Sequence, residues 1–202
     1  MKTAITFAFA FMMCISMNAQ LLQDLDHIEN FNEGLAAIQK GDQWAFIDQQ
    51  GQMIVDFRKD IALKKGEKGA VTLPKFSNER TIITAVKEGI HFYGYIDKTG
   101  KTVIECQYVN ATVFANGFAL VMQYSKEVVG KNNLLGKDVV SYQIEEYVID
   151  SNGKALTAGL NPRNYVPSKM KSGEAPDFTT HFIGERMIAV QGPDQKWDIY
   201  SF

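Results

Sequence analysis

Three short segments of this chain read almost alike, and they limit what it can fold into more than any other feature. They are "FIDQQGQMIV" from Phe46, "YIDKTGKTVI" from Tyr95 and "VIDSNGKAL" from Val148. Each passes from Ile-Asp through two polar residues to a glycine, giving the pairs Asp48/Gly51, Asp97/Gly100 and Asp150/Gly153. An aspartate opening a type I turn can hydrogen-bond the backbone ahead of it, and a glycine three positions on tolerates positive φ. The flanks are β-branched and aromatic, as strands prefer. A second phrase recurs as "FNEGLAAI" from Phe31, "FSNERTIITAV" from Phe76, "FANGFALV" from Phe114 and "FIGERMIAV" from Phe182. Self-similarity at this spacing marks a repeat array whose units bury their apolar faces on one another.

Repeats therefore lie near residues 31–61, 76–112, 114–156 and 182–202, the last ending before its turn. Trp44 and Phe46 alternate with Ala45 and Ile47, and Tyr93 and Tyr95 with Gly94 and Ile96, so each hairpin is expected to have one bulky face and one small one. Isolated hairpins are marginal in water, so the units must stack. The reading is an all-β single domain of stacked antiparallel hairpins, with a closed propeller-like or barrel arrangement as the alternative. Trp44, Tyr93 and Trp197 are its structural aromatics, and Trp197 is expected to be buried as a cap on the last unit. Residues 125–142 interrupt the third repeat as a protruding hairpin. Residues 161–181 hold three of the five prolines, Pro162, Pro167 and Pro176, and read as a loop.

Two stretches, "FNEGLAAI…DQWAFIDQQGQMIV" and "YGYIDKTGKTVIECQYVNATVFANGFALV", resemble the WG-repeat family of bacterial proteins. Its unit runs loosely G-K-W-G-Y-I-D-x-x-G-x-x-V-I, then F-x-x-G-x-A-x-V. Where the family has Trp-Gly, this chain has Trp44-Ala45, Tyr93-Gly94, Glu146-Tyr147 and Trp197-Asp198. The resemblance implies an all-β repeat array and no single reaction.

Residues 1–19 follow the order of a secretory signal peptide: Lys2, an apolar run from Ala4 to Met13, and a cut between Ala19 and Gln20. The run is too short to span a bilayer. Lipid attachment at Cys14 is the alternative. Export to the periplasm or the medium follows, with residues 20–202 as the domain. The full chain holds 21 Lys+Arg against 23 Asp+Glu, a balance without the positive field that nucleic acid binding needs. Lys64, Lys65 and Lys68 read as a solvated loop.

No residue pattern indicates catalysis, a cofactor or a metal. The recurrent aspartates fit turns better than a glycosidase pair. "DSNG" at Asp150 lacks calcium-loop spacing, and "GKNNLLGK" from Gly130 lacks phosphate-loop spacing. Cys106 has no histidine near it in sequence, and His27, His91 and His181 are scattered. The expected role is a non-catalytic envelope module binding an unknown protein or glycan. A hydrolase using Asp97 with His91, or a purely structural envelope protein, are the alternatives. Sequencing the amino terminus of the exported protein should give Gln20 as the first residue. An intact Met1 in a cytosolic fraction would contradict export.

Overall fold

The computed structural model describes residues 21–65, 71–165 and 175–202. The signal segment with Cys14, Ala19 and Gln20, together with Lys68 and Pro167, lies outside the described residues. Sixteen strands and no helix are found among the described residues. Four antiparallel sheets follow one another along the chain, and none closes into a barrel. The first holds β1 (His27–Ile28), β2 (Ala36–Lys40), β3 (Gln43–Ile47) and β4 (Met53–Arg58). A two-stranded ribbon, β5 (Lys64–Lys65) with β6 (Val71–Thr72), leads to the second sheet: β7 (Arg80–Lys87), β8 (Ile90–Asp97) and β9 (Thr102–Tyr108). The third is β10 (Asn110–Ala111), β11 (Phe118–Asn132), β12 (Lys137–Asp150) and β13 (Leu160–Asn164). The fourth is β14 (Thr180–Gly184), β15 (Met187–Gln191) and β16 (Trp197–Ser201), with β16 at its edge.

The two sequence phrases form two kinds of turn. In the Asp-x-x-Gly turns, Asp48 Oδ1 accepts from the amides of Gln50 and Gln52, Asp97 Oδ1 from those of Thr99 and Lys101, and Asp150 Oδ1 from those of Asn152 and Lys154. Gly51, Gly100 and Gly153 sit at φ of +76°, +82° and +83°. The Phe-x-x-Gly phrases make tight hairpins with two successive positive φ values, at Glu33-Gly34, Asn78-Glu79 and Asn116-Gly117. Reciprocal backbone bonds close them, such as Asn32–Leu35 and Ala115–Phe118. Two positive φ values in a two-residue loop are the mirror-image turn that matches strand twist.

The sheets stack face to face. Trp44, Phe46 and Val55 of the first sheet pack against Phe76, Ile83 and Ile96. Ile82, Tyr95 and Ile104 of the second pack against Phe114, Ala119, Val121 and Ile149. Leu120 and Val148 of the third meet Ile188 and Val190 of the fourth. Adjacent residues such as Ile82 and Ile83 thus serve opposite neighbours, as alternation along a strand requires. One aromatic pair recurs at the first two junctions. Phe46 meets Phe76 edge to face at 4.7 Å, and Tyr95 meets Phe114 at 4.8 Å.

The expectation of one bulky and one small face per hairpin is not what the structure shows. Inner sheets are buried on both faces, and Gly94 is small for a separate reason. Three residues of β8, from Tyr93 to Tyr95, stand opposite the five from Ile104 to Tyr108 of β9. The bulged β9 backbone lies against Gly94. A Cβ there would fall 2.7 Å from the Glu105 carbonyl carbon and 2.8 Å from the Cys106 nitrogen. At Ala45 the opposing span is shorter, from Arg58 to Val55, and a methyl is accommodated.

Gly94→Ala should therefore destabilise the protein by about 2–3 kcal/mol, as overpacking does. Gly130→Ala, in open space, should change stability by less than about 0.5 kcal/mol. Urea melts of the two variants check the contrast.

Candidate functional site

The third sheet departs most from the others. Its central strands run on past the stack as a two-stranded ribbon. β11 and β12 remain paired to Asn132↔Lys137, with a bulge between Val128 and Gly130. β13 accompanies β12 only as far as Gln143↔Asn164. Beyond Lys126 and Tyr142 the ribbon projects by about 20 Å, at the usual rise per residue. Asn132 Oδ1 accepts from the amides of Leu134 and Leu135 and fixes the tip. Leu134 is 98 % exposed, and Leu135, Val128, Val129 and Val139 are also exposed. Stacking of Tyr124 on Tyr142, with Lys126 over the Tyr142 ring, braces the root.

Below the ribbon sits a buried polar node. Glu146 stands where the repeat otherwise places Trp44 and Tyr93, and it is wholly buried. Its Oε1 accepts from Arg163 Nη1 at 2.8 Å, from the Thr179 hydroxyl at 2.8 Å and from the Thr179 amide at 3.0 Å. Arg163 Nη2 also donates to the Asp177 carbonyl. The node clamps the segment that returns from the proline-containing excursion onto the root of the ribbon. Next to it, the Tyr147 hydroxyl donates to Glu145. That bond to the carboxylate, with burial, pushes the Tyr147 phenol up to about 12.

A shallow groove of about 450 Å³ runs along β4, lined by Ile54, Asp56, Phe57, Arg58, Asp60 and Thr99. Arg58 there donates to both Asp60 oxygens, at 2.5 and 2.6 Å, and to the Gly100 carbonyl at 2.8 Å. Its donors are directed at protein, so the groove offers little to an anion.

The residues singled out in the sequence do not converge. Asp48, Asp97 and Asp150 each sit in their own turn. Burial raises Asp97, but the Thr99 side chain, the Thr99 and Lys101 amides and Arg80 outweigh it and hold the carboxyl below its usual range. His91 and Asp97 lie near opposite ends of β8, about 20 Å apart along the strand. Burial pushes the Cys106 thiol up, with Asp60 adding to it, the opposite of an activated thiolate. His27 bonds Glu29 and meets the Trp44 ring edge-on. Among the described residues no group of three or more His, Cys, Asp or Glu could hold a metal ion, and no helix is long and apolar enough to cross a membrane.

Trp44 is buried and Tyr93 half-buried, but Trp197 is 50 % exposed. This corrects the expectation of a buried cap: β16 is an edge strand and no further sheet covers its outer face among the described residues. Its ring and that of His181 meet edge to face, at 4.8 Å between centroids. Sequence reasoning found the ribbon but missed the Glu146 node. A charged Glu in the aromatic slot was the available signal.

The family model of the WG containing repeat matches residues 24–44 and 93–126. Neither a curated protein nor a solved structure is significantly similar to the chain.

Glu146→Ala should cost on the order of 3 kcal/mol, because it leaves Arg163 and both Thr179 donors without their acceptor. Denaturant unfolding of the variant against the parent measures it. A loss under about 0.5 kcal/mol would show that the node does not hold the segment.

Proposed function

We propose that this WG-repeat chain is an exported, non-catalytic interaction protein of the bacterial cell envelope. In this reading residues 1–19 are a leader, residues 20–202 are one repeat domain, and the stack is a platform for the ribbon. The observation that carries the reading is the ribbon's tip. Two adjacent leucines stand at the furthest point of a braced hairpin, where folding gains nothing from them. Fully burying a leucine is worth about 1.5–3 kcal/mol, so such a tip favours an apolar recess on a partner. That chemistry suits a protein partner better than a glycan, which would call for an exposed aromatic platform. The separation of His91 from Asp97, and the engagement of Arg58, are consistent with a role without catalysis.

The test is capture from the envelope fraction of the source cell by the parent and by the Leu134→Ser/Leu135→Ser chain. The double variant should melt with the parent, because both side chains lie outside the core. It should bind the captured partner at least about a hundredfold more weakly, the effect of losing roughly 3 kcal/mol. Equal binding by both chains would remove the tip from the recognition surface.

A further inference from the structure

The two ends of the stack expose complementary halves of one repeat. The first two junctions inside the stack are built the same way. The strand that enters the Asp-x-x-Gly turn, β3 or β8, sends an aromatic onto the phenylalanine that opens the next tight hairpin, as Phe46 does to Phe76 and Tyr95 to Phe114. The strand that leaves the turn, β4 or β9, pairs with the one that entered it. It lays Val55 against Gly100, or Ile104 against Gly153, of the following turn.

At the start of the described chain the following-turn half of this arrangement is present without its partner. The same spacing relates Leu21 to Ile104, Leu25 to Tyr108, His27 to Asn110 and Phe31 to Phe114. The structure keeps the correspondence. β1 pairs with β2 through His27↔Gln39 as β10 pairs with β11 through Asn110↔Met122, and the Leu21 side chain occupies the space a Cβ on Gly51 would need. Residues 21–26 thus stand in the place of β4 or β9, with Asp24 at φ +58° interrupting the extended backbone, and no strand lies where β3 or β8 would among the described residues. Phe31 is 50 % exposed, where Phe76 and Phe114 are each 1 % exposed.

At the other end β16 takes the place of β3 and β8, and no strand pairs with its outer side among the described residues. β16 is a free edge. Trp197 corresponds to Trp44 and Ile199 to Phe46. Phe46 is 1 % exposed and Ile199 is 67 % exposed. Asp198 is the one charged residue in this edge strand, so little opposes strand addition.

From these two exposed surfaces, Phe31 with residues 21–26 and the β16 edge, we infer that a second copy of this chain docks head to tail. β16 of one copy pairs antiparallel with residues 21–26 of the next and completes a repeat shared between them. Register follows from Tyr95↔Ile104 and Tyr93↔Tyr108. Ile199 faces Leu21 and covers Phe31 of the next copy, and Trp197 faces Leu25. The contact is heterologous, so it propagates into a filament or closes into a ring. This inference does not depend on the role given to the ribbon tip.

Chains carrying Leu21→Cys and Ile199→Cys separately, mixed under mild oxidation, should give a cross-linked pair that neither gives alone. The parent, with its own Cys106, sets the background. Sedimentation of the full parent chain should show mass rising with concentration. Ile199→Lys at one end and Phe31→Asp at the other should each weaken that association at least about tenfold, with parent-like circular dichroism. Cross-linking of Ile199→Cys to itself would overturn the inference in favour of a two-fold dimer. An intrachain cross-link in a chain carrying both cysteines would overturn it in favour of closure within one molecule. A parent that stays monomeric at every concentration, or variants that associate as the parent does, would also overturn it.

Discussion

The edge-to-face contact between an aromatic in the strand that enters the Asp-x-x-Gly turn and the phenylalanine opening the next hairpin holds this architecture in register. At the Phe46–Phe76 and Tyr95–Phe114 junctions both rings are almost wholly buried. Such a pair contributes through its area and through its geometry, the latter by about 0.5–1.5 kcal/mol. Other links follow the same spacing. Asn32 donates to the Phe76 carbonyl and Ser77 to the Phe114 carbonyl, while Glu33 accepts from the amides of Asn78 and Glu79. Turn stacks on turn because ring stacks on ring. Every sheet therefore touches chiefly its neighbours, and stability becomes a sum over junctions.

The junctions are not equivalent. The first two are closed by aromatics. At the third, Val148 takes the position of Phe46 and Tyr95, among Ile188, Val190 and a partly buried Phe182. Glu146 takes the tryptophan position and holds its segment by hydrogen bonds. Apolar packing tolerates small shifts of neighbouring groups, whereas a buried carboxylate must find its donors in place. The sheet that carries the projecting ribbon is thus the one fastened by directional bonds.

Much of this could be read in the sequence, because turns and strand alternation are local. Asp48, Asp97 and Asp150 with their glycines declare a turn whatever lies around them, and the ribbon at 125–142 interrupts a period. The misses were non-local. Gly94 looked like part of a small face, yet its smallness answers to a bulge in β9, ten residues further along the chain. Trp197 looked like a cap, but capping depends on a covering sheet rather than on the residue. The repeats read from the sequence begin at Phe31, because alternation alone does not reveal that Leu21 packs on the Gly51 turn as Ile104 packs on that of Gly153. The Glu146 node joins residues from three segments, and no spacing connects them. The candidate site was thus legible in outline, and its anchoring was not.

The ribbon also has a mechanical side. β11 runs without interruption from Ala119 in the core to Asn132 at the tip, and β12 returns the same way. A load applied at Leu134 pulls both strands in one direction, so the bonds between them carry little of it. The load falls on the flanks, where β10 and β13 hold β11 and β12, and on the packed faces above and below. The flanking bonds lie across the pull and are loaded in shear, so they must slide together rather than open one at a time. The tip is therefore attached as a lever is attached to its bearing: it can sway sideways, while tension along its length is borne by the whole third sheet.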